Sequence, residues 1–181
     1  MEDERAGERD AEVEADGRAL ASVIRLRILR LCLDDALTNK DIAGRLGKDP
    51  ATTFHHVQVL AERGFLAAQP ERRGARGARE VPYLATRKSW RTPLPEAQNR
   101  VLVEAFLEEL AEADPRTVTS ARMGLRLTDE HHAELVSRVS ALLDEYAAMP
   151  PDPDGRPWSV FVAIHEDVAR LDGPPGPAPS A

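Results

Sequence analysis

The sequence predicts a mainly α-helical fold with a small β component (α+β), and three observations carry that prediction. Apolar residues recur at helical spacing along most of the chain, β-branched and aromatic runs are short and few, and Gly or Pro stands between the periodic runs. The 181 residues suffice for one or two small domains. The first periodic run, residues 19–33, places Leu20, Val23, Ile24, Ile28, Leu31 and Cys32 at helical spacing, with Arg25, Arg27 and Arg30 elsewhere around the cylinder. This helix is expected to pack on the pair of helices that comes after it in the chain.

Thr38 with Asp41 three residues later reads as an N-cap whose carboxylate reaches back, and Ile42, Ala43 and Leu46 form one apolar face. Gly47 ends that short helix. Asp49 before Pro50 starts a second one, because the Asp side chain accepts from free backbone N–H groups and proline suits the first helical position. From Pro50 to about Arg63, Thr53, Val57 and Leu60 fall at i, i+4 and i+7 and are expected inside, with His56 at their edge. Thr52, Phe54, His55 and Gln58 are left facing outward. Gly64 terminates the helix, and residues 65–69 and 80–86 read as two strands. Arg72, Arg73, Arg76 and Arg79 crowd the turn between them, together with Gly74 and Gly77. A short capped helix, a Gly turn, a second helix and a basic hairpin make a winged helix-turn-helix.

The chemistry of the outward residues points to double-stranded DNA. Hydroxyl, imidazole and amide groups on the second helix suit base edges in a major groove, with Phe54 either on a thymine methyl or folded back as packing. Thr38 and Lys40, at the start of the preceding helix, suit phosphates. Guanidinium groups on a glycine-containing loop can reach phosphates or a narrow minor groove. A solvated turn with incidental charge is the plain alternative for the hairpin.

Ala43, Leu46, Gly47, the Asp49 cap and Thr52, with HHVQVL from His55 to Leu60 and the Gly64-Phe65-Leu66 exit, resemble the winged-helix repressors of the ArsR type. The resemblance covers residues 19–90. It implies a homodimer on double-stranded DNA, usually acting as a repressor, with the helix of residues 19–33 helping to build the dimer. Metal-sensing members of that family carry paired cysteines in the helix-turn-helix or a carboxylate and histidine set in a later helix. This chain lacks the first pattern, so no metal and no cofactor are expected.

Charge divides the chain in the same way. Residues 1–17 carry 2 basic and 8 acidic side chains, residues 18–92 carry 15 and 7, and residues 93–181 carry 7 and 16, within a net charge of −7. The basic middle can bind DNA by counterion release although the whole chain is acidic. Residues 1–17 and the Pro-rich residues 172–181 read as disordered tails, a DNA-binding domain spans 18–92, and a dimerisation or effector unit spans 93–171. No signal peptide or long hydrophobic span is present, so a cytoplasmic protein away from membranes is expected.

Pro93 and Pro95 mark the start of the C-terminal unit, which reads as helix, strand, helix, strand. Val101, Leu102, Ala105, Phe106 and Leu110 stripe the first helix, residues 96–113. TVTSARMGLRL from Thr117 reads as a strand or extended connection, and Thr128 caps a helix with Leu135, Val139, Leu142, Tyr146 and Met149 on one face. Trp158 to Ile164 is the best strand of this half. Such a unit could close a dimer, hold an unidentified small-molecule effector, or do both. His131 and His132 project about 100° apart on a helix, which makes a shared metal ion an unfavourable reading. Cys32 reads as a small buried hydrophobe. No phosphate loop, nucleophile elbow or positioned Cys-His pair appears, so catalysis is not expected. The expected protein is a homodimeric DNA-binding regulator. The alternative is a winged-helix protein-interaction module, which would expose an apolar patch where a DNA binder exposes a positive strip.

Overall fold

The computed structural model describes residues 2–74, 79–92, 95 and 99–171. Where the sequence predicts a disordered acidic tail, Glu2–Leu20 form a helix, α1. Glu, Ala and Arg are good helix formers, and Glu14 pairs with Arg18 one turn on at 2.7 Å. Propensity alone does not hold such a polar helix in place. Its last turn does, because Ala19 and Leu20 are buried and Asp16 is only 5% exposed between two cations. Arg63 Nε donates to Asp16 Oδ1 at 2.8 Å, and Lys88 Nζ pairs with Asp16 Oδ2 at 2.5 Å. Arg25 then closes the helix end, donating from Nε to the Ala19 carbonyl and from Nη2 to the Arg18 carbonyl at 2.9 Å. Charge content suggests a solvated tail, but the anchor at its end makes the stretch a docked helix.

Helix α2 (Val23–Leu31), strand β1 (Leu37–Thr38), and helices α3 (Asn39–Leu46) and α4 (Pro50–Glu62) come next. Strands β2 (Leu66–Ala68), β3 (Arg72–Arg73), β4 (Arg79–Glu80) and β5 (Pro82–Ala85) build the wing. The main sheet is antiparallel in the order β1-β5-β2, with Leu37 opposite Tyr83 and Leu66 opposite Ala85. The hairpin continues outward as β3-β4, Arg72 lying opposite Glu80. The core beneath is formed by Ile28, Cys32, Ile42, Val57, Leu60 and Phe65, all buried. Helix, sheet and wing are therefore arranged as predicted, and the fold is an α+β winged helix-turn-helix.

Helix α5 (Asn99–Glu112) is expected from the sequence to open a separate C-terminal unit, but it packs on α2. Ala105 is buried there, Arg27 Nη2 donates to Glu112 Oε1 at 2.7 Å, and Arg30 lies 3.8 Å from Glu109. The first compact unit thus runs from Met1 to Pro115, not to residue 92. The acidic edge of α5 matches arginines that α2 carries far earlier in the chain, a pairing that no local pattern reveals.

The second unit, Arg116–Ala181, contains helix α6 (Asp129–Ala148), capped by Thr128 Oγ1, which accepts from His131 N at 3.2 Å. The strand predicted at Trp158–Ile164 is not formed, and residues 117–127, read as a strand or an extended connection, likewise lie in no ladder of the described chain. β-branched composition favours extended backbone but cannot supply a neighbouring strand. The predicted tail of residues 172–181 and the break at Pro93 lie outside the described residues.

Candidate nucleic-acid interface

The site begins with two helix starts. Thr38 Oγ1 accepts from Asp41 N at 3.2 Å while Asp41 Oδ2 accepts from Thr38 N at 3.1 Å, the reciprocal cap that the sequence predicts. Gly47 closes α3 in the left-handed region at φ 61°, and Lys48 N donates to the Ala43 carbonyl at 2.9 Å. Asp49 Oδ1 then accepts from Ala51 N at 2.8 Å and Thr52 N at 3.3 Å to start α4. One side-chain contact ties these starts to each other and a second ties them to the wing. Asn39 Nδ2 donates to the Pro50 carbonyl at 2.8 Å, and Arg72 Nη2 donates to Asp41 Oδ2 at 3.2 Å. The first turn of α3, the first turn of α4 and the base of the wing therefore meet at one place.

Helix α4 turns the predicted face outward. Thr53, Val57 and Leu60 are buried, whereas Thr52 and His55 are exposed and Gln58 is half-buried at the edge. Phe54 is 50% exposed, which settles its orientation: it stands out from the helix and does not fold back as packing. His56 is half-buried and its Nδ1 has no hydrogen-bond partner among the described residues. Burial, then Arg25, then His55 hold its imidazole below the usual histidine range.

Among the predicted phosphate contacts, Lys40 is exposed on α3, but Thr38 is a correction. It is 3% exposed and its hydroxyl is committed to the cap, so it positions the helix and cannot reach a ligand. Capping and phosphate contact are two uses that its burial makes exclusive. Arg45 in the last turn of α3 and Lys48 just after it are further exposed cations that the sequence alone left unremarked. Their signal is present in the sequence, since both fall off the Ile42-Ala43-Leu46 face.

In the wing, Arg72, Arg73 and Arg79 are exposed, and Arg76 lies outside the described residues. Arg72 is shared between Asp41 and Glu80, at 3.2 and 4.0 Å, and Arg79 lies 3.6 Å from Glu71. Arg73 has no ion pair among the described residues. Hydrogen bonds from the Thr38 hydroxyl and backbone, with Arg72 and Arg45 nearby, hold the Asp41 carboxyl below its ordinary range against the opposing effect of burial. Of the large hydrophobic side chains between residues 33 and 92, only Phe54 and Trp90 are exposed among the described residues. The face is polar and basic, not an apolar patch.

Cys32 is fully buried, and burial pushes its thiol up to about 12, leaving it an unreactive core residue. Among the described residues no group of three or more His, Cys, Asp or Glu side chains is placed to hold a metal ion, and no helix is long and apolar enough to cross a membrane.

Residues 26–70 match the IclR helix-turn-helix domain family. No protein of curated function matches the chain. Among solved structures, reduced HlyU from Vibrio cholerae is similar at 19% identity, covering 61% of this chain and 98% of its own, with a TM-score of 0.39. NolR from Sinorhizobium fredii is 17% identical over 61% of this chain and 94% of its own, with a TM-score of 0.38. The homodimeric winged helix-turn-helix DNA-binding domain of Mb0332 from Mycobacterium bovis is 23% identical, covers 65% of this chain and 94% of its own, and has a TM-score of 0.39. At the level set by the helix-turn-helix match and the wing beside it, the chain is a DNA-binding transcriptional regulator.

Proposed function

We propose that this chain is a non-enzymatic, cytoplasmic repressor of the ArsR-like winged-helix kind, binding specific double-stranded DNA as a homodimer. The observation that supports the reading is the shared junction of α3, α4 and the wing, with Thr52, Phe54 and His55 exposed and Gln58 half-buried on α4, and Lys40, Arg45 and Lys48 exposed on α3 and the turn after it. The α4 residues suit base edges, with Phe54 placed for a thymine methyl. The lysines and the arginines Arg45, Arg72, Arg73, Arg76 and Arg79 suit the phosphates on either side. A dimer follows from the reading task, because two recognition helices must be held about one DNA turn apart to read paired half-sites. Repression rests on the family resemblance of residues 19–90.

The test is selection of bound fragments from the source genome by the full chain, followed by a reporter placed behind the recovered sequence. Enrichment of a two-fold-related site and lower reporter output with the protein present are expected. Recovery of no sequence would replace this reading with a protein-interaction module. Adding metal salts or small-molecule pools to the bound complex tests whether residues 93–171 receive a releasing signal.

A further inference from the structure

The outer hairpin of the wing has two unlike sides. Arg72 lies opposite Glu80 and Arg73 opposite Arg79, and side chains alternate along a strand, so the two opposed pairs project from different sides of the ribbon. The first side is matched in charge. Arg72 Nε lies 4.0 Å from Glu80 Oε2, and Arg72 Nη2 reaches off the ribbon to Asp41 Oδ2 of α3 at 3.2 Å. Gly74 leaves room for this arrangement, since a Cβ there would run into the Glu80 side chain. The second side sets two guanidinium groups opposite each other, which like-charge repulsion disfavours unless an anion meets them. Glu71 lies 3.6 Å from Arg79, whereas Arg73 has no ion pair among the described residues.

Asp41 is where this hairpin meets the helix-turn-helix. Its Oδ2 accepts from the Thr38 backbone N–H at 3.1 Å and from the Thr38 hydroxyl at 2.8 Å, so the carboxylate is fixed to the first turn of α3. The hairpin needs such a tie. Ladder pairing in the main sheet ends at Ala68 opposite Tyr83 and resumes only at Arg72 opposite Glu80, so the outer strands join the sheet through a break. Arg72 spans that break from the side. Its side chain is 53% exposed, and exposed ion pairs contribute little to whether a domain folds. What they can set is the direction in which the hairpin leaves the sheet.

We propose that Arg72 is a positioning residue for DNA binding: it latches the wing to α3 through Asp41 and Glu80, and so turns the Arg73 and Arg79 side of the hairpin toward the phosphates. The proposal rests on the regulator reading above and divides the arginines of its wing by role.

Neutralising the latch separates this role from direct phosphate contact, because the two give opposite signs. Glu80→Gln and Asp41→Asn each remove a negative charge beside Arg72 and leave every arginine in place, and the Asn keeps an oxygen for the Thr38 N–H. An Arg72 that binds phosphate would be freed, and DNA binding would tighten. An Arg72 that latches the wing is lost to that task, and each variant should bind the site recovered by selection about threefold more weakly, the scale of one exposed ion pair. Binding to random-sequence duplex should not weaken. In the DNA-free chain the amide order parameters of Arg72 and Arg73 should fall in Glu80→Gln by at least about 0.1 from the rigid value of about 0.85, with the unfolding midpoint unchanged. Equal or tighter binding of the selected site would overturn the proposal, as would unchanged order parameters, or an affinity loss that comes with a lowered midpoint. A parent chain that selects no DNA would remove the regulator reading instead, and the order parameters would then decide the latch alone.

Discussion

Thr38 and Lys40 sit two residues apart and are expected to separate stability from binding. Thr38→Ala removes the cap of α3 and leaves Asp41 N without its acceptor, so unfolding should require about 1–2 kcal/mol less, read from the denaturant midpoint. Lys40 is exposed and makes no such contact, so Lys40→Ala should leave the midpoint within about 0.5 kcal/mol while weakening DNA binding. His56 adds a pH dependence of known sign. Its folded pKa is depressed, so the unfolded chain binds the proton more readily, and stability falls as pH drops through the unfolded value of about 6.5. The fall stops below the folded value. His56→Gln should flatten the stability profile in that window; an unchanged profile would mean another group is responsible. Most of this was legible in the sequence, because caps and helix faces are set by spacing within one or two turns. That the capping hydroxyl of Thr38 is also buried was not, because packing distant in sequence decides it.

At the scale of elements, α1 shows how much one anchor matters. Burial alone would raise the Asp16 carboxyl, but hydrogen bonds from Lys88 and Arg63 more than offset it and hold the pKa below its ordinary value. Asp16→Asn leaves two cations without their partner. About 2–3 kcal/mol of stability should be lost, less than for a wholly buried pair because both cations reach solvent, and circular dichroism should show α1 unwinding. Among the described residues the wing offers a contrast between Arg72 and Arg79, which are paired, and Arg73, which is not. Arg73→Ala should reduce the magnitude of the salt-dependence slope of DNA affinity by about 0.9, one released counterion, without changing stability. A slope equal to that of the parent protein would place Arg73 away from phosphate.

The whole molecule joins a basic reading head to an acidic remainder. Residues 18–92 carry 15 basic and 7 acidic side chains within a chain of net charge −7. If two such heads read paired half-sites, moving the half-sites apart by about half a turn, roughly 5 bp, should rotate one site to the far side of the duplex. Affinity measured by gel shift should then fall by at least about tenfold; equal affinity at both spacings would argue for independent heads.

The sequence by itself determined the helix-turn-helix, its caps, the outward face of α4 and the basic wing, because each depends on contacts between residues close in the chain. The tertiary structure alone decided that the acidic N-terminal stretch is a docked helix, that α5 belongs to the DNA-binding unit, and that Thr38 is buried. Each of these turns on a partner distant in sequence: Arg63 and Lys88 for Asp16, α2 for α5, and β5 for β1 beside Thr38. The strand predicted at Trp158–Ile164 marks the boundary between the two kinds of information, since a strand needs a neighbour that its own residues do not name.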